Sequence, residues 1–263
     1  MAWSTSCVTV SLFFLLFITN YGISDGKRNC EGRGSKGAAK IGVARDFYNC
    51  YMKTMSGGIS DLIFLIDASG SMRSRNWYTG RYVDGWAAAL KFVKSLLTEV
   101  RISFNSTRVS VATYSTKVTK QINYIWDPVI ENHKCKFNRE FENLPFDGQL
   151  TNIKEAFDTA YDIFYEQRAN QVRHKYRKNA NKVVILISDG YGNRHSKADQ
   201  LKAARVLKDN IYAEVYTVGL SSGSDTAFLK QAATDESLFF TTSFSDLSKI
   251  ATYIRGGKII YVG

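Results

Sequence analysis

The fold is decided by ten consecutive residues, Leu62-Ile63-Phe64-Leu65-Ile66-Asp67-Ala68-Ser69-Gly70-Ser71. They join an apolar run to a segment that carries a carboxylate and hydroxyls. A continuous run of this length is typical of a strand that is buried on both faces of a parallel sheet. A second run, Val183–Ile187, has the same character and leads into Ser188-Asp189-Gly190. We therefore predict that both runs are central strands of one sheet.

Helical and extended patterns alternate along the rest of the chain. Trp86–Val100 and the stretch after Thr151 have apolar residues at helical spacing. Val109–Ser115 and Lys117–Ile125 are strand patterns separated by too little chain for a helix, so they must pair antiparallel. Further helices are predicted at Lys197–Lys208, Thr226–Ala233 and Asp246–Ile254, and further strands at Ala213–Val218 and Leu238–Thr242. This order predicts an α/β fold: a doubly wound, mostly parallel six-stranded sheet with one antiparallel edge strand and helices on both faces.

The N-terminal part of the chain is read as a leader and a basic segment. Residues 1–24 carry no charged side chain and contain an apolar run from Val8 to Ile18. That run predicts a secretory signal peptide, because a membrane span needs about 20 apolar residues. Residues 25–58 are basic, rich in Gly and without a clear period, so we expect the folded domain at 59–263, with order beginning at Asp61. No other segment suggests a membrane span.

Cysteine usage and a sequon agree with secretion. Cys30, Cys50 and Cys135 follow the predicted leader, which is an odd number. We favour a disulfide between Cys30 and Cys50, which leaves Cys135 unpaired or linking two chains as a homodimer; three buried thiols are the alternative. Asn105-Ser106-Thr107 is an N-glycosylation sequon, which has meaning only in a secreted protein.

The formal net charge of +11 favours acidic partners, such as sulfated glycans or acidic proteins. Nucleic acid is not expected outside the cell. One basic cluster lies between a predicted helix and the start of a strand, and therefore at the edge of the sheet where that strand begins. Its members are Arg168, Arg173, His174, Lys175, Arg177, Lys178 and Lys182. We interpret the cluster as a solvated connecting segment in preference to a site that binds heparin-like glycans.

Oxygen-bearing side chains are predicted to meet at the other edge of the sheet. Ligands bind beyond the carboxyl ends of parallel strands, and both apolar runs end there, at Asp67 and Asp189. Ser69 and Ser71 follow Asp67, and Thr151 opens a helix that must start at the same edge. Two carboxylates and three hydroxyls suit Mg²⁺, with Mn²⁺ or Ca²⁺ as alternatives, whereas soft metals would need Cys or His. The competing interpretation is a helix cap plus a turn.

These segments resemble the von Willebrand factor type A (VWA) family, in the style of matrilin and collagen VI A domains. The likeness is carried by Phe64–Met72, Gly148–Asn152, Ile187–Gly190 and Tyr216–Leu220, and covers about residues 61 to 254. The resemblance implies a Rossmann-like VWA fold and a metal-ion-dependent adhesion site. Ser69, Ser71 and Thr151 would then ligate the metal directly, and Asp67 and Asp189 directly or through water. Two departures stand beside Thr151: Gln149-Leu150 replaces the family's Gly-Gly, and Ile153 replaces a second Thr.

The stretch from Arg73 to Asp84 is longer than is usual in the family. Its candidate ligand-binding residues are Arg73, Arg75, Trp77, Tyr78 and Arg81. Arginine would steer an acidic partner, with Trp77 or Tyr78 as an anchor. Packing of Trp77 beneath its own loop is the alternative.

These patterns predict a secreted adhesion or matrix-binding module that grips an Asp or Glu of an extracellular protein, such as collagen, through bound Mg²⁺. The alternative is a structural component of an extracellular or mineral matrix that acts through its basic surface. An enzyme is not expected. A haloacid-dehalogenase-like phosphatase needs a second Asp where Ser69 stands, and neither a P-loop lysine motif nor a Gly-x-Ser-x-Gly elbow is present.

Overall fold

The structure is a computed structural model that describes residues 47, 49–51, 54, 55, 59–75, 82–103, 105–123, 125, 134–169, 177–220, 224–243 and 247. The predicted leader and Cys30 lie outside these residues, as does the predicted C-terminal helix apart from Leu247. Leu247 itself is fully buried. Within the described residues, no helix is both long and apolar enough to cross a membrane.

Six strands form one sheet in the order β5-β4-β1-β6-β7-β8. Neighbouring strands are parallel except at the edge, where β5 runs antiparallel to β4, so the predicted fold class is confirmed. The bounds are β1 Ser60–Asp67, β4 Thr107–Tyr114, β5 Val118–Asn123, β6 Asn181–Ser188, β7 Glu214–Leu220 and β8 Phe239–Thr242. A separate two-stranded hairpin consists of β2 Arg73–Arg75 and β3 Tyr82–Asp84.

Helices cover both faces of this sheet. They are α1 Gly85–Thr98, α2 Lys134–Glu142, α3 Ile153–Ala169, α4 Lys197–Val206 and α5 Thr226–Ala232. Every residue of β1 is buried, and alternate side chains enter two cores: Leu62, Phe64 and Ile66 pack with α1, whereas Ile63 and Leu65 pack with α3 and α4. This two-sided burial explains the continuous apolar run, because each large apolar side chain gains roughly 1.5–3 kcal/mol when it leaves water.

Ordered structure begins before Asp61, contrary to the expectation from sequence. Phe47, Cys50, Tyr51 and Met55 are all buried in the core that contains α1. The Phe47 ring lies edge-on to Phe240, with 4.9 Å between ring centroids. The four residues follow a helical spacing, which hides inside a segment that is polar and basic on average.

Helix α4 ends earlier than predicted and continues as one π-turn, Leu207–Ile211. The turn closes at Tyr212, which adopts a left-handed φ of 58°. Within it, Lys208 Nζ donates to the carbonyls of Gln231 and Ala233 at 3.1 and 3.0 Å. This lysine therefore satisfies carbonyls at the C-terminal end of α5, where a positive charge is favourable.

Candidate metal centre

The carboxyl ends of β1 and β6 lie side by side, because these strands pair in parallel with Ile66 opposite Ile187. The next residues are Asp67 and Ser188, and the Ser188 hydroxyl donates to Asp67 Oδ2 at 2.7 Å. Asp189 follows at once. Asp67 is fully buried and Asp189 is 5% exposed. Both carboxylates therefore lie below the surface at the carboxyl ends of the parallel strands, where the sequence predicts the site.

The loop after Asp67 folds back onto that carboxylate and carries two neighbouring hydroxyls. The Ser69 amide donates to Asp67 Oδ1 at 2.8 Å, and the Ser69 and Ser71 hydroxyls lie 3.1 Å apart. Residues Gly70–Met72 form a single 3-10 turn that holds the two serines on the same side. Ser69 is buried whereas Ser71 is exposed, so the cluster reaches solvent at Ser71.

The segment before α3 is tied to the serine loop by its backbone. The Gly148 amide donates to the Ala68 carbonyl at 2.8 Å, and the Gly70 amide donates to the Gln149 carbonyl at 3.0 Å. A Cβ atom on Gly70 would lie 2.9 Å from the Gly148 oxygen, so the two loops approach closely only because position 70 is glycine.

Thr151 is in turn tied to the loop after β6. Its amide donates to Asn193 Oδ1 at 2.9 Å, and the Asn193 amide donates to the Thr151 carbonyl at 3.0 Å. The structure therefore brings together the three segments that carry all of the predicted metal ligands. They are Asp67, Ser69, Ser71, Thr151 and Asp189.

The buried charge at this edge has no counter-charge from the described residues. Burial, and then the nearby charge of Asp189, raise the pKa of Asp67 to about 7 although Ser69 and Ser188 donate hydrogen bonds to it. The Tyr114 side chain is also fully buried beside this charge. Burial and the Asp67 charge hold the pKa of Tyr114 well above its usual range.

The donor set fits a hard divalent cation. Two carboxylates and three hydroxyls are oxygen donors, as Mg²⁺, Mn²⁺ and Ca²⁺ prefer. Among the described residues, no group of three or more His, Cys, Asp or Glu side chains that could hold a metal ion is found, so hydroxyls would have to supply the donors beyond the two carboxylates.

The predicted ligand loop is described only at its base. There Arg73 Nε lies 3.3 Å from Asp84 Oδ1, and its guanidinium sits 4.3 Å above the Phe146 ring. Asp84 also caps α1 by accepting from the Ala87 amide at 2.8 Å. Arg75 lies in β2, while Trp77, Tyr78 and Arg81 lie outside the described residues. Arg73 therefore anchors the loop to the domain, and the roles of the others in binding stay predictions.

The opposite edge of the sheet holds an ion cluster that sequence reasoning missed. Asp61, fully buried, is bonded by Arg177 Nε at 3.1 Å and by Lys182 Nζ. The side chains of Arg177 and Lys182 are only 10% and 7% exposed. The interpretation of the basic cluster as solvated is therefore wrong for these two residues, which neutralise Asp61. Lys182 on β6 lies opposite Asp61 on β1, a pairing that depends on the register of the two strands.

The other members of that basic cluster are less informative. Lys178 is exposed, and Arg168 lies in α3. Arg173, His174 and Lys175 lie outside the described residues. Asn105 lies in an exposed turn at the same edge, where the next carbonyl, that of Ser106, accepts from Arg177 Nη1 at 2.6 Å.

The cysteine predictions remain open. Cys50 is buried, but its predicted partner Cys30 lies outside the described residues. Cys135 lies near the start of α2. The Cys30–Cys50 disulfide and a Cys135-linked homodimer therefore both stay predictions.

Residues 61–252 match the family model of the von Willebrand factor type A domain. The mouse "Sushi, von Willebrand factor type A, EGF and pentraxin domain-containing protein 1" is 30% identical over 226 residues, which is 84% of this chain. The chain spans only 6% of the length of that relative.

Solved structures show the same fold. The manganese-loaded TRAP protein of Plasmodium vivax is similar with a TM-score of 0.53 and 18% identity, over 75% of this chain and 73% of that one. Proximal thread matrix protein 1 from the mussel byssus, solved with a zinc-occupied MIDAS motif, has a TM-score of 0.55 and 21% identity. That likeness covers 75% of this chain and 47% of the mussel protein.

Proposed function

Because this chain belongs to the von Willebrand factor type A domain family, we propose that it is a secreted module that binds an extracellular protein through a metal ion. The observation that carries the proposal is the pair Asp67 and Asp189. Both are buried at the ligand-binding edge of the sheet, beside hydroxyls, and no cation of the described residues pairs with them. A bound divalent ion would supply the missing positive charge.

In this proposal the ion is Mg²⁺, with Mn²⁺ or Ca²⁺ as alternatives. The hydroxyls of Ser69, Ser71 and Thr151 hold it directly, and Asp67 and Asp189 hold it directly or through water. Neutral hydroxyls leave the ion with most of its charge, so it can accept a carboxylate from a partner in an open position. Two similar structures contain manganese and zinc, which supports a divalent ion at this edge.

Secretion and the partner class belong to the same proposal. The predicted leader and the exposed sequon at Asn105 support an extracellular protein. The partner is a matrix protein with an exposed Asp or Glu, of which collagen is one candidate. The domain acts by binding and carries out no reaction. A homodimer linked through Cys135 would add avidity.

Binding to an immobilised panel of matrix proteins and heparin tests the proposal, in Mg²⁺ and again in EDTA. The Asp67→Ala variant is measured beside Asp158→Ala, a matched control on α3 whose partly exposed carboxylate pairs with Lys154. We expect EDTA and Asp67→Ala each to abolish binding to a matrix protein, and Asp158→Ala to preserve it.

Binding that ignores both EDTA and Asp67→Ala, but disappears in high salt, would overturn the metal-dependent function. It would favour the alternative of a structural matrix component that acts through its basic surface, for which the net charge of +11 is the supporting observation. Charge reversal at Arg168, Arg173, Lys175 and Lys178 would then abolish binding.

A further inference from the structure

We propose that helices α3 and α4 form a self-association surface, through which two copies of this chain pair about a two-fold axis. In this pairing Asp162 on α3 meets Arg205 on α4 of the second copy, and Tyr165 meets Tyr212 of the second copy. Helix α2, which carries Cys135, packs into the core on the other face of the sheet. The pairing therefore needs neither a disulfide at Cys135 nor a metal ion.

Two tyrosines are exposed at the end of this surface that is far from the candidate metal centre. Tyr165, near the end of α3, is 50% exposed, and its ring stacks on that of Tyr161 with 5.5 Å between centroids. Tyr212 closes the π-turn that continues α4 and is 83% exposed. Its left-handed φ of 58° is one that L side chains rarely adopt. Exposed aromatic rings on one surface, one of them at a strained position, favour an interface.

The solvent side of this surface carries separate acidic and basic residues. Asp162 on α3 and the pair Lys202 and Arg205 on α4 are exposed. Asp158 already pairs with Lys154, whereas no ion pair to another described residue is found for Asp162, Lys202 or Arg205. Burial, and then the charge of Asp158, raise the pKa of Asp162. A cation brought by a second molecule would therefore be favourable beside Asp162.

The two helices place these charges at nearly the same level. They pack side by side and run in the same direction, because α3 begins at the edge of the sheet where β6 ends and α4 follows. The pKa of Lys154 is raised by its hydrogen bond to Asp158 and also by the charge of Asp199, so the first turns of α3 and α4 are neighbours. Asp162 is about 12 Å beyond Lys154 along α3, and Arg205 is about 9 Å beyond Asp199 along α4.

This alignment makes the surface complementary to itself. A two-fold axis that runs parallel to the helices and between them sets α3 of each copy against α4 of the other, without a shift along the helices. Asp162 then lies near Arg205 of the second copy, and this contact occurs twice. Tyr165 is three residues beyond Asp162 and reaches the end of the surface where Tyr212 lies. A second copy satisfies both helices, whereas a uniformly acidic or basic partner would be repelled by one of them.

Sedimentation equilibrium of the full chain in EDTA tests the pairing. Every protein carries Cys135→Ser, so that a disulfide at this position cannot hold copies together. Asp162→Arg and Arg205→Asp are measured singly and combined, beside Glu142→Arg, a matched charge reversal on α2. Tyr212→Gly is included because glycine adopts a left-handed conformation without strain, so the ring is removed while the fold is kept.

We expect a dimer whose Kd rises about tenfold or more in each single reversal, because the two-fold axis counts each change twice. The combined reversal should return the Kd to within about threefold of the wild-type value, and Glu142→Arg should leave it unchanged. Tyr212→Gly should weaken the dimer without lowering the free energy of unfolding. A chain that stays monomeric at every concentration, or a combined reversal that fails to restore pairing, would overturn the inference. Neither result bears on the proposed metal-dependent function, because no metal is present in the assay.

Discussion

Each end of strand β1 buries an aspartate, and the surroundings of the two differ in one respect. At the beginning of the strand, Asp61 is bonded by Arg177 and Lys182. At its end, Asp67 receives hydrogen bonds from the Ser69 amide and the Ser188 hydroxyl but pairs with no cation among the described residues. Both carboxylates are fully buried.

This difference separates a charge that the fold compensates from one that it does not. A buried carboxylate costs several kcal/mol in free energy of folding unless a positive charge compensates it. Lys182 on β6 and Arg177, which precedes β6, supply that charge to Asp61. The fold leaves Asp67 without a positive partner among the described residues and beside a second carboxylate, an arrangement that costs free energy unless Asp67 is protonated or a cation is bound.

The largest effect is expected at the compensated end. Asp61→Ala leaves Arg177 and Lys182 poorly exposed and without their carboxylate, so the free energy of unfolding should fall by about 3–5 kcal/mol. Urea denaturation with and without Mg²⁺ measures this loss, which should be the same in both conditions. A loss below about 1 kcal/mol would show that the cluster is not a compensated buried charge.

At Asp67, which has no counter-charge among the described residues, a substitution should raise the free energy of unfolding instead of lowering it. Asp67→Asn removes a buried charge but keeps a similar shape, so in EDTA at pH 8.5 the variant should be more stable than wild type. The raised pKa of Asp67, about 7 against an ordinary 3.8, sets an upper limit of about 4 kcal/mol. A variant less stable than wild type in EDTA would contradict the idea that Asp67 lacks a counter-charge.

The same pair of proteins has a defined pH dependence in EDTA. Because the folded pKa of Asp67 is raised, its charged form destabilises the fold, and the penalty is complete above about pH 7. As the pH falls through 7 towards 3.8, Asp67 takes up a proton and the gap between wild type and Asp67→Asn should close. Urea denaturation at several pH values follows the gap. A gap that stays constant from pH 8.5 to pH 5 would exclude this origin.

A bound metal ion should supply the positive charge that the described residues do not place beside Asp67. At a Mg²⁺ concentration 100 times the Kd, the wild-type free energy of unfolding should rise by about 2.7 kcal/mol. Asp67→Asn should gain much less. Thermal unfolding with Mg²⁺ titration measures both, and an equal gain in the two proteins would place the bound ion elsewhere.

The smallest effect is expected where an ion pair is exposed. Lys94 and Glu142 pair across the surface between α1 and α2, and their side chains are 37% and 58% exposed. Glu142→Ala should therefore cost less than about 1 kcal/mol. Asp61→Ala is measured in the same denaturation assay, so that the difference between the two losses in free energy of unfolding reports the effect of burial. Similar losses for the two variants would contradict this explanation.

The central strands, and the position of Asp67 and Asp189 at their carboxyl ends, are predictable because their signals are local. Leu62–Ile66 and Val183–Ile187 are too short for buried helices and too apolar for edge strands, and β1 and β6 contain them. Parallel pairing then brings the ends of both strands to one edge, whatever the loops do. The predicted start of α1 near Trp86 also held, because Asp84 caps that helix.

The elements missed by sequence reasoning depend on tertiary packing. Helix α2 is mostly polar, and its place in the core rests on Phe137 and Phe141, one turn apart and buried. The pairing of Asp61 with Lys182 joins residues 121 positions apart, and it becomes visible only when the register of β1 and β6 is known.

The residues before β1 determine where a recombinant fragment of this domain can begin. The family match begins at residue 61, yet the Tyr216 hydroxyl donates to the Cys50 carbonyl at 3.3 Å and lies 2.7 Å from the Thr54 hydroxyl. The Phe47 ring also contacts Phe92 and Phe240. A recombinant fragment that starts at residue 61 would open this aromatic patch to water and promote self-association. A fragment that keeps this packing has to begin before Phe47, well ahead of the first residue of the family match.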